Sequence, residues 1–487
     1  MKVLLINKVD SVAVAPFGLK KGECGEFDGG EIVAREDIPA GHKIAVKDVA
    51  VGKPVLKYGY KIGVATRDIS AGEWVHSHNL RSDLSCENNS ASERVNASVN
   101  ALSRTFYGYK RKGGKVGVRN DILVLPTVGC AVKSAEKIAD EFKKRHGDFG
   151  GEPLVAAHPY GCSQLGEDAS ATAAVLTSLA YNPNFGGVLV VSLGCENNDL
   201  SVIKPHLGSI DKERIKYLVL QNCTDETEEG VRLLEELAEV ASGDKREECD
   251  FSSLVIGVKC GGSDGASGIT ANPLVGRISD ELTSSGGSVI MTEIPETFGA
   301  EQTLFARCEN PEKLDEVIKN FKQYYVEHGE PIGENPSPGN KAGGITTNEE
   351  KSLGCVLKSG FGEIKSVIGY GERVFEKGVT VLVAPGNDLV SLSGLASAGA
   401  TIALFTTGRG TPLGSLIPVI KISTNTPLYE KKSGWIDYDG GKVLEIGFDT
   451  ATDELTEEVI AVANGKKTKS ELGGHREFAI WKNGVTL

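Results

Sequence analysis

The sequence predicts a multidomain protein in which a small all-β domain precedes two α/β regions with mainly parallel sheets. Residues 1–85 alternate apolar and polar side chains, carry many turn signals and show little helical periodicity. From residue 121 onward, continuous apolar strands alternate with helical segments, a pattern typical of a parallel sheet covered on both faces. A segment rich in proline and glycine near residue 334 separates two such regions. We therefore expect domains at 1–85, 111–330 and 331–487, with a linker at 86–110.

The first domain contains a weak internal repeat. Asp37-Ile-Pro-Ala-Gly41 recurs as Asp68-Ile-Ser-Ala-Gly72, each time after an extended segment. This indicates two similar hairpin units. The segment that follows begins with Cys86-Glu-Asn-Asn-Ser90, and its excess of serine and asparagine predicts a linker that is at least partly mobile.

Charge and hydropathy exclude several classes of partner. The formal net charge of −13 provides no basic footprint for nucleic acid. No stretch approaches the roughly 20 consecutive apolar residues of a membrane span, and Met1-Lys-Val-Leu-Leu-Ile6 lacks the features of a signal peptide. We therefore expect a cytoplasmic protein with no nucleic-acid or membrane partner, whose ten cysteines are reduced thiols. The lack of a CxxC pair argues against a zinc ribbon.

A cysteine follows each of five successive predicted strands, in a turn that contains glycine or asparagine. In a parallel α/β sheet such turns share one edge, so several of the thiols are expected to converge on a site. The alternative is that cysteine fills these turns by packing, as a small and readily buried residue. The five residues are Cys130, Cys162, Cys195, Cys223 and Cys260.

The run from Cys260 to Pro273 is the densest in polar and glycine residues. It follows a predicted strand at 254–259 and holds four glycines together with hydroxyl, thiol, carboxylate and carboxamide side chains. Glycine allows close backbone approach, and successive free N–H groups form an anion-binding nest. The run therefore predicts a loop around a small polar ligand, with a tight ligand-free turn as the alternative.

Two other kinds of residue point to chemistry. His76 and His78 lie two residues apart, so on a strand they share a face and suit a single metal. The alternative is an exposed pair at a domain end. Arg119 suits bidentate binding of a carboxylate, and Lys115 would act as a base if burial depressed its pKa. Lone cations in glycine-rich loops, Lys341 and Arg409, would extend a positive pocket; solvated basic turns are the alternative.

These residues belong to runs that resemble the altronate/galactarate dehydratase family over nearly the whole chain. The N-terminal part, ending in His76-Ser-His-Asn79, resembles the SAF (β-clip) domain of that family. The other matching runs are Gly117-Val-Arg-Asn120, the turn from His158 to Cys162, Pro183-Asn-Phe185, Leu193-Gly-Cys-Glu196, Cys260 to Pro273, Glu293-Ile-Pro-Glu296, Asn335 to Gly344 and Phe405-Thr-Thr-Gly-Arg-Gly410.

The resemblance implies a hydro-lyase that removes water from a hexonate or hexarate to give a 2-keto-3-deoxy sugar acid. It also implies a divalent metal, usually Fe²⁺, with Mn²⁺ as the alternative; homo-oligomerisation stays open. Ser163 stands where the family pattern has glycine, which leaves the substrate in doubt. The rival hypotheses are a sulfo-lyase or a dehydratase of a shorter hydroxy acid, a non-catalytic sugar-acid-binding protein, and a thiol hydrolase that uses Cys260.

Roles are expected for three groups of residues. Those expected in metal binding are His76, His78, Cys162, Cys195, Glu196 and Cys260. Those expected in proton transfer are His76, His78, His158 and Lys115. Those expected to bind the substrate are Arg119, Asn120, Ser263, Asp264, Thr270, Lys341 and Arg409.

Overall fold

The computed structural model describes residues 2–87, 103–147, 149–333 and 335–484. Most of the expected linker (88–102) and Glu334 lie outside the described residues. The first part of the chain is all-β, as expected, with three antiparallel sheets in the orders β1-β4-β7, β2-β3 and β5-β6-β8. Its strands are β1 (Val12–Ala15), β2 (Cys24–Phe27), β3 (Gly30–Val33), β4 (His42–Ala45), β5 (Pro54–Lys57), β6 (Tyr60–Ala65), β7 (Trp74–Val75) and β8 (Leu80–Arg81).

The internal repeat forms two equivalent turns. Ile38 bridges Leu19 in one copy, and Ile69 bridges Val49 in the other; both isoleucines are buried. The glycine that closes each copy has a positive φ, 78° at position 41 and 90° at Gly72. A Cβ at Gly72 would lie 2.3 Å from the carbonyl oxygen of residue 33, so only glycine fits that turn.

The second part is built on a parallel sheet in the order β12-β11-β13-β14. A small antiparallel sheet, β10-β9-β15, packs through Phe106, Val116 and Cys249 into a different core, which it shares with the third part of the chain. All of β9 lies within the segment expected to be a linker. The strands are β9 (Thr105–Lys110), β10 (Val116–Gly117), β11 (Asp121–Pro126), β12 (Pro153–Val155), β13 (Phe185–Ser192), β14 (Ile215–Val219) and β15 (Glu247–Asp250). The helices are α1 (Val132–Arg145), α2 (Glu167–Ala180), α3 (Leu200–Ile203) and α4 (Glu226–Ser242).

The third part is a seven-stranded parallel sheet, β18-β19-β17-β16-β20-β21-β22, which takes strands from both sides of residue 330. Its strands are β16 (Val255–Cys260), β17 (Ser288–Met291), β18 (Ile364–Ile368), β19 (Gly378–Leu382), β20 (Ile402–Thr407), β21 (Val419–Ser423) and β22 (Tyr438–Asp439). Its helices are α5 (Ala271–Ser284), α6 (Glu301–Phe305), α7 (Pro311–Glu327), α8 (Pro338–Ala342), α9 (Asn348–Cys355), α10 (Asp388–Ala398), α11 (Thr426–Lys431), α12 (Val443–Ala463) and α13 (Lys469–Leu472).

The two parallel sheets share a hydrophobic core. Leu123 and Leu125 of β11 point into it, together with α2, α10 and Phe405 of β20. The alternate residues of β11 face a second core under α1 and α4. Tyr160, in the loop after β12, and Leu413, in the loop after β20, pack on the shared core. The carboxyl ends of both sheets therefore lie on the same side of the molecule, where ligand sites of open α/β sheets form.

Among the described residues, none of the helices combines the length and the apolar character that crossing a bilayer requires.

Candidate active site

The glycine-rich run after β16 folds around its own carboxylate. Asp264 accepts hydrogen bonds from the hydroxyls of Ser267 (3.0 Å) and Thr424 (2.8 Å) and from the amide of Asn425 (3.1 Å). Burial raises the pKa of Asp264, and these hydrogen bonds oppose that rise. Since Thr424 and Asn425 follow β21, the carboxylate ties together two loops at the carboxyl edge of the seven-stranded sheet.

Two exposed cations flank this run. The side chain of Arg409 packs on Gly262, where an added Cβ would lie 3.0 Å from the Cβ of Arg409. On the other side, the amide of Asn340 donates to the carbonyl of Ser263 (2.7 Å), which sets the neighbouring Lys341 beside the run. Within the described residues neither Lys341 nor Arg409 forms an ion pair with a carboxylate. Both are therefore available to an anionic ligand.

The N-terminal domain is held over this edge by buried charges. Glu350 of α9 pairs with Lys43 and with Lys57, each at 2.8 Å, and all three side chains are almost fully buried. Lys43 also donates to the carbonyl of Gly344 (2.7 Å). Burial opposes ionisation of Glu350, but the two lysines more than offset it and lower its pKa to about 2. The three charges thus fix one domain on the other.

A cluster of aromatic and histidine side chains lines the same interface. The indole of Trp74 donates to Nδ1 of His42 (3.1 Å), so the other ring nitrogen of His42 carries the proton and faces the carbonyl of Ala342 (3.4 Å). Burial, then the charges of His76 and a neighbouring lysine, lower the pKa of His42 to about 4. His42 is therefore neutral at physiological pH.

His76 and His78 differ in their surroundings. Nε2 of His76 lies 2.9 Å from the carbonyl oxygen of Lys341, and its Nδ1 lies 3.0 Å from the hydroxyl of Ser77. Both nitrogens are thus occupied by the protein, and burial lowers the pKa of His76. The ring of His78 is exposed and lies tilted against Trp74, with centroids 5.2 Å apart and an angle of 51° between the ring planes. Both histidines lie in the turn after β7, which ends at Val75, and not on a strand as expected.

A buried group of potential metal ligands lies behind the glycine-rich run. The thiols of Cys260 and Cys355 are 3.4 Å apart, and each is hydrogen-bonded to Oε2 of Glu296, at 2.8 and 3.0 Å. The hydroxyl of Ser263 points at the thiol of Cys260 (3.5 Å) and is not free for a ligand. Two thiols and a carboxylate suit iron by donor chemistry.

Lysines surround this group. Lys351 pairs with Glu296 (2.9 Å), Lys358 with Glu293 (3.2 Å), and Lys259 with both Glu293 and a further carboxylate, that of Asp388 (2.8 Å). Burial opposes ionisation of Glu296, but the three lysines more than offset it and hold its pKa well below the usual range.

The charges of this network balance when both thiols are neutral, because three ammonium groups face three carboxylates. The hydrogen bond to Cys260, and then burial, raise the pKa of Cys355 well above its ordinary value. A divalent cation would keep the network neutral only if both thiols lost their protons, since metal ligation requires the thiolate. The group is also buried on all sides, so it is a closed site.

Four of the expected residues lie instead at the carboxyl edge of the four-stranded sheet. Cys162 and Cys195 are exposed there, close to Cys130. His158 is buried and hydrogen-bonded to the carbonyl of residue 126. Glu196 is buried and accepts hydrogen bonds from two hydroxyls and two backbone N–H groups.

Arg119, Asn120 and Lys115 lie away from both edges. Arg119 is buried and binds Glu471 through two nitrogens, each at 2.8 Å, and it also donates to three backbone carbonyls. Asn120 accepts from Arg111 (2.8 Å). The side chain of Thr270 is likewise used by the protein, since it donates to two backbone carbonyls.

Lys115 lines a cavity beside the start of β13, together with Arg373. Burial, and then the charge of Arg373, lower the pKa of Lys115. The amino end of a strand is the edge opposite to the glycine-rich run, so this placement separates Lys115 from the candidate site.

Sequence reasoning missed most of the buried charges. The sequence pointed to one buried charge, that of Lys259, because this lysine ends an otherwise apolar predicted strand. Glu293 and Glu296 stand in a run that supported the family resemblance, but no role was expected for them. Nothing local singled out the lysines and glutamates of the interface and of α9. They are Lys43, Lys57, Glu350, Lys351 and Lys358.

Comparisons with known proteins agree with this architecture. Residues 1–83 match the "Altronate/galactarate dehydratase SAF domain", 108–242 the "D-galactarate dehydratase/Altronate hydrolase, second domain", and 251–486 the "D-galactarate/Altronate dehydratase, C-terminal" family. The chain is 47% identical to altronate dehydratase of Bacillus subtilis (strain 168) over 99% of both chains. It is 44% identical to altronate dehydratase of Escherichia coli (strain K12) over 100% of both.

Identity to the galactarate dehydratase (L-threo-forming) of Escherichia coli (strain K12) is 31%, over 98% of this chain and 96% of that protein. The fold, the polar edge of the large sheet and these similarities define a hydro-lyase. The chain belongs to the altronate/galactarate dehydratase family. The expected family, its SAF domain and the fold class are thereby confirmed.

Proposed function

We propose that this protein dehydrates altronate to a 2-keto-3-deoxy sugar acid. The observation that carries the proposal is full-length similarity, at 47% and 44% identity, to two altronate dehydratases, against 31% to a galactarate dehydratase. The site supports it, because an acid substrate needs cations and the exposed Lys341 and Arg409 flank the glycine-rich run.

The reaction makes two demands on the residues of the site. The α-proton of a hydroxy acid is weakly acidic, and a β-hydroxyl is a poor leaving group. Arg409 and Lys341 bind the carboxylate and stabilise the charge that develops on it when the α-proton leaves. Asp264 keeps the loops that carry these cations in place, since it joins the segments after β16 and β21.

His78 is the proposed general base. Of the four groups expected to transfer protons, His78 is the exposed one, on the turn after β7, and its ring nitrogens form no hydrogen bond with the described residues. His76 positions Lys341 through the carbonyl of that residue. Replacement of His78 by glutamine is expected to lower kcat about 10²–10⁴-fold, the usual contribution of a general base. A His206→Gln variant, at an exposed histidine outside this site, is the matched control.

The proposed metal is iron, with manganese as the alternative. Two sets of thiols in this chain offer donors that suit iron, the buried Cys260, Glu296 and Cys355, and the exposed thiols at the edge of the four-stranded sheet. Either set would hold the metal through its thiolates, and a metal held there would supply Lewis-acid stabilisation of the leaving hydroxyl. The first set is closed to substrate and the second is open.

The substrate proposal is tested on a panel of altronate, galactarate and sulfolactate. Keto-acid formation and sulfite release are measured on the purified protein, anaerobically and with ferrous iron. We expect the highest kcat/KM for altronate and no sulfite from sulfolactate. A higher kcat/KM for galactarate, or sulfite release, contradicts the proposal. An Arg409→Ala variant should raise KM for altronate, which ties the activity to this cleft.

A further inference from the structure

Three exposed cysteines lie on neighbouring loops at the carboxyl edge of the four-stranded sheet. Cys130, Cys162 and Cys195 follow β11, β12 and β13, which are neighbours in the order β12-β11-β13. Adjacent strands lie about 4.8 Å apart, so these loops begin close together. Cysteine is among the residues most often buried. Three exposed cysteines on neighbouring loops therefore depart from the usual burial of this residue, and packing does not explain them.

Hydrogen bonds join the three loops next to each thiol. The N–H of Gly129 donates to the carbonyl of Tyr160 (2.8 Å), and that of Asn198 to the carbonyl of Gly161 (3.1 Å). The N–H of Ser163 donates to Oδ1 of Asn197 (2.9 Å). A Cβ at Gly161 would lie 2.1 Å from the carbonyl oxygen of residue 127, so glycine permits this close approach.

Two buried polar side chains hold these loops in shape. His158 lies with Nε2 2.9 Å from the carbonyl of Pro126, and its Nδ1 accepts from the N–H of Tyr160 (3.2 Å). Glu196 accepts from the hydroxyl of Ser192 (2.6 Å) and from the N–H of Gly194 (2.7 Å). Both use their polar atoms on the protein itself. They are positioning residues for the thiol loops rather than ligands.

The fourth strand-end thiol is different. Cys223, after β14, donates its S–H to the carbonyl of Val219 (3.3 Å) and packs against the core under α1 and α4. The edge therefore presents three thiols and not four. Structural zinc sites are closed by four ligands, so three thiols indicate a site with an open position.

The spacing of the thiols indicates more than one metal ion. Among the described residues, the group formed by Cys260, Glu296 and Cys355 is the one identified with three ligand atoms all within 4.8 Å of one another. The three edge thiols are thus more widely spaced than a single ion requires. An iron–sulfur cluster is held by thiolates on separate irons, so it tolerates wider spacing.

We propose that Cys130, Cys162 and Cys195 hold a [4Fe–4S]²⁺ cluster, assembled from two ferrous ions, two ferric ions and four sulfide ions, whose fourth iron lacks a protein ligand. The open iron suits a hydroxyl oxygen of a hydroxy acid, so the site deepens the proposed dehydratase function and rests on it for the choice of substrate. Neither His76 nor Cys260 belongs to this site.

The test is anaerobic reconstitution of the full-length protein with equal amounts of ferrous and ferric iron and with sulfide. We expect iron and acid-labile sulfide in equal amounts, broad visible absorption, and an electron paramagnetic resonance signal after reduction with dithionite. Cys130→Ser, Cys162→Ser and Cys195→Ser should each lose most of the sulfide and the signal. Cys223→Ser, at the matching position on the fourth strand, should retain both, and so should Cys260→Ser.

The outcomes separate this inference from the substrate proposal. Iron without labile sulfide, or a signal unchanged in all three serine variants, overturns the cluster even if altronate is dehydrated. If the cluster requires the three thiols but the protein is inactive on altronate, the cluster is confirmed and altronate is refuted as the substrate. Addition of altronate should change the resonance signal of the reduced wild-type protein. An unchanged signal at saturating altronate, with activity intact, overturns the open iron as the place of substrate binding.

Discussion

Glu350→Gln should release the N-terminal domain from the rest of the chain. The substitution keeps the shape of the side chain but leaves the ammonium groups of Lys43 and Lys57 buried without a counter-charge. Lowering of the pKa of Glu350 from 4.5 to about 2 corresponds to roughly 3 kcal/mol, since one pKa unit is worth about 1.4 kcal/mol. Removal of one partner from a buried ion pair costs about 3–5 kcal/mol, which agrees with this value.

The assay is limited proteolysis under conditions in which the rate follows the population of the open form. A loss of about 3 kcal/mol corresponds to a rate increase on the order of 100-fold, since 1.4 kcal/mol is tenfold. Lys20→Ala is the control, because its ion pair with Asp37 is exposed to solvent and such pairs contribute little to stability. If Glu350→Gln accelerates cleavage no more than Lys20→Ala does, the buried charges do not hold the domain.

Domain docking should depend on pH differently in the wild-type and Glu350→Gln proteins. The folded-state pKa of Glu350 is lowered, so its contribution to stability is complete above about pH 4.5 and is lost as pH falls towards 2. Wild-type protein should therefore lose domain docking across that interval. The Glu350→Gln protein should lack this part of the acid transition.

Three further outcomes are expected. Arg119→Lys should lower the free energy of unfolding by about 2–4 kcal/mol, because lysine cannot replace the bidentate contact with Glu471; urea unfolding measures this, and an unchanged midpoint contradicts it. Asp264→Asn should reduce kcat/KM for altronate at least tenfold, while Asp37→Asn on the surface should not; equal activity of the two variants removes Asp264 from the site. His42→Phe should flatten the change in thermal stability between pH 6.5 and 4, because the lowered pKa of His42 makes the wild-type fold less stable as pH falls through that range; an unchanged slope in thermal scans contradicts this.

Local patterns were sufficient for the placement of loops but not for the partners of side chains. The cysteine that follows each strand was visible in the sequence, and the parallel sheets put Cys130, Cys162 and Cys195 on one edge, as such patterns predict. Cys260 has the same local pattern but belongs to the other sheet, so it does not join them. The sequence does not show where one sheet ends and the next begins.

Glu350, Lys43 and Lys57 show the limit most clearly. In the sequence they are charged residues in short elements, and such residues are usually exposed. Their burial follows from contact between parts of the chain about 300 residues apart, with separations of 307 and 293 positions. No local pattern encodes that contact.

The sequence by itself determined a small all-β domain, two regions of alternating strands and helices, the family, and the polar loops at the strand ends. These depend on side-chain periodicity, on glycine at turns and on the order of motifs, which are local properties. The tertiary structure alone decided which loops meet. It placed the free thiol of Cys260 beside that of Cys355, 95 residues later. It also paired Arg119 with Glu471 in a buried ion pair. Burial and charge pairing depend on packing between distant segments. They decide whether a charged or thiol side chain is free to bind a ligand or is used to stabilise the fold.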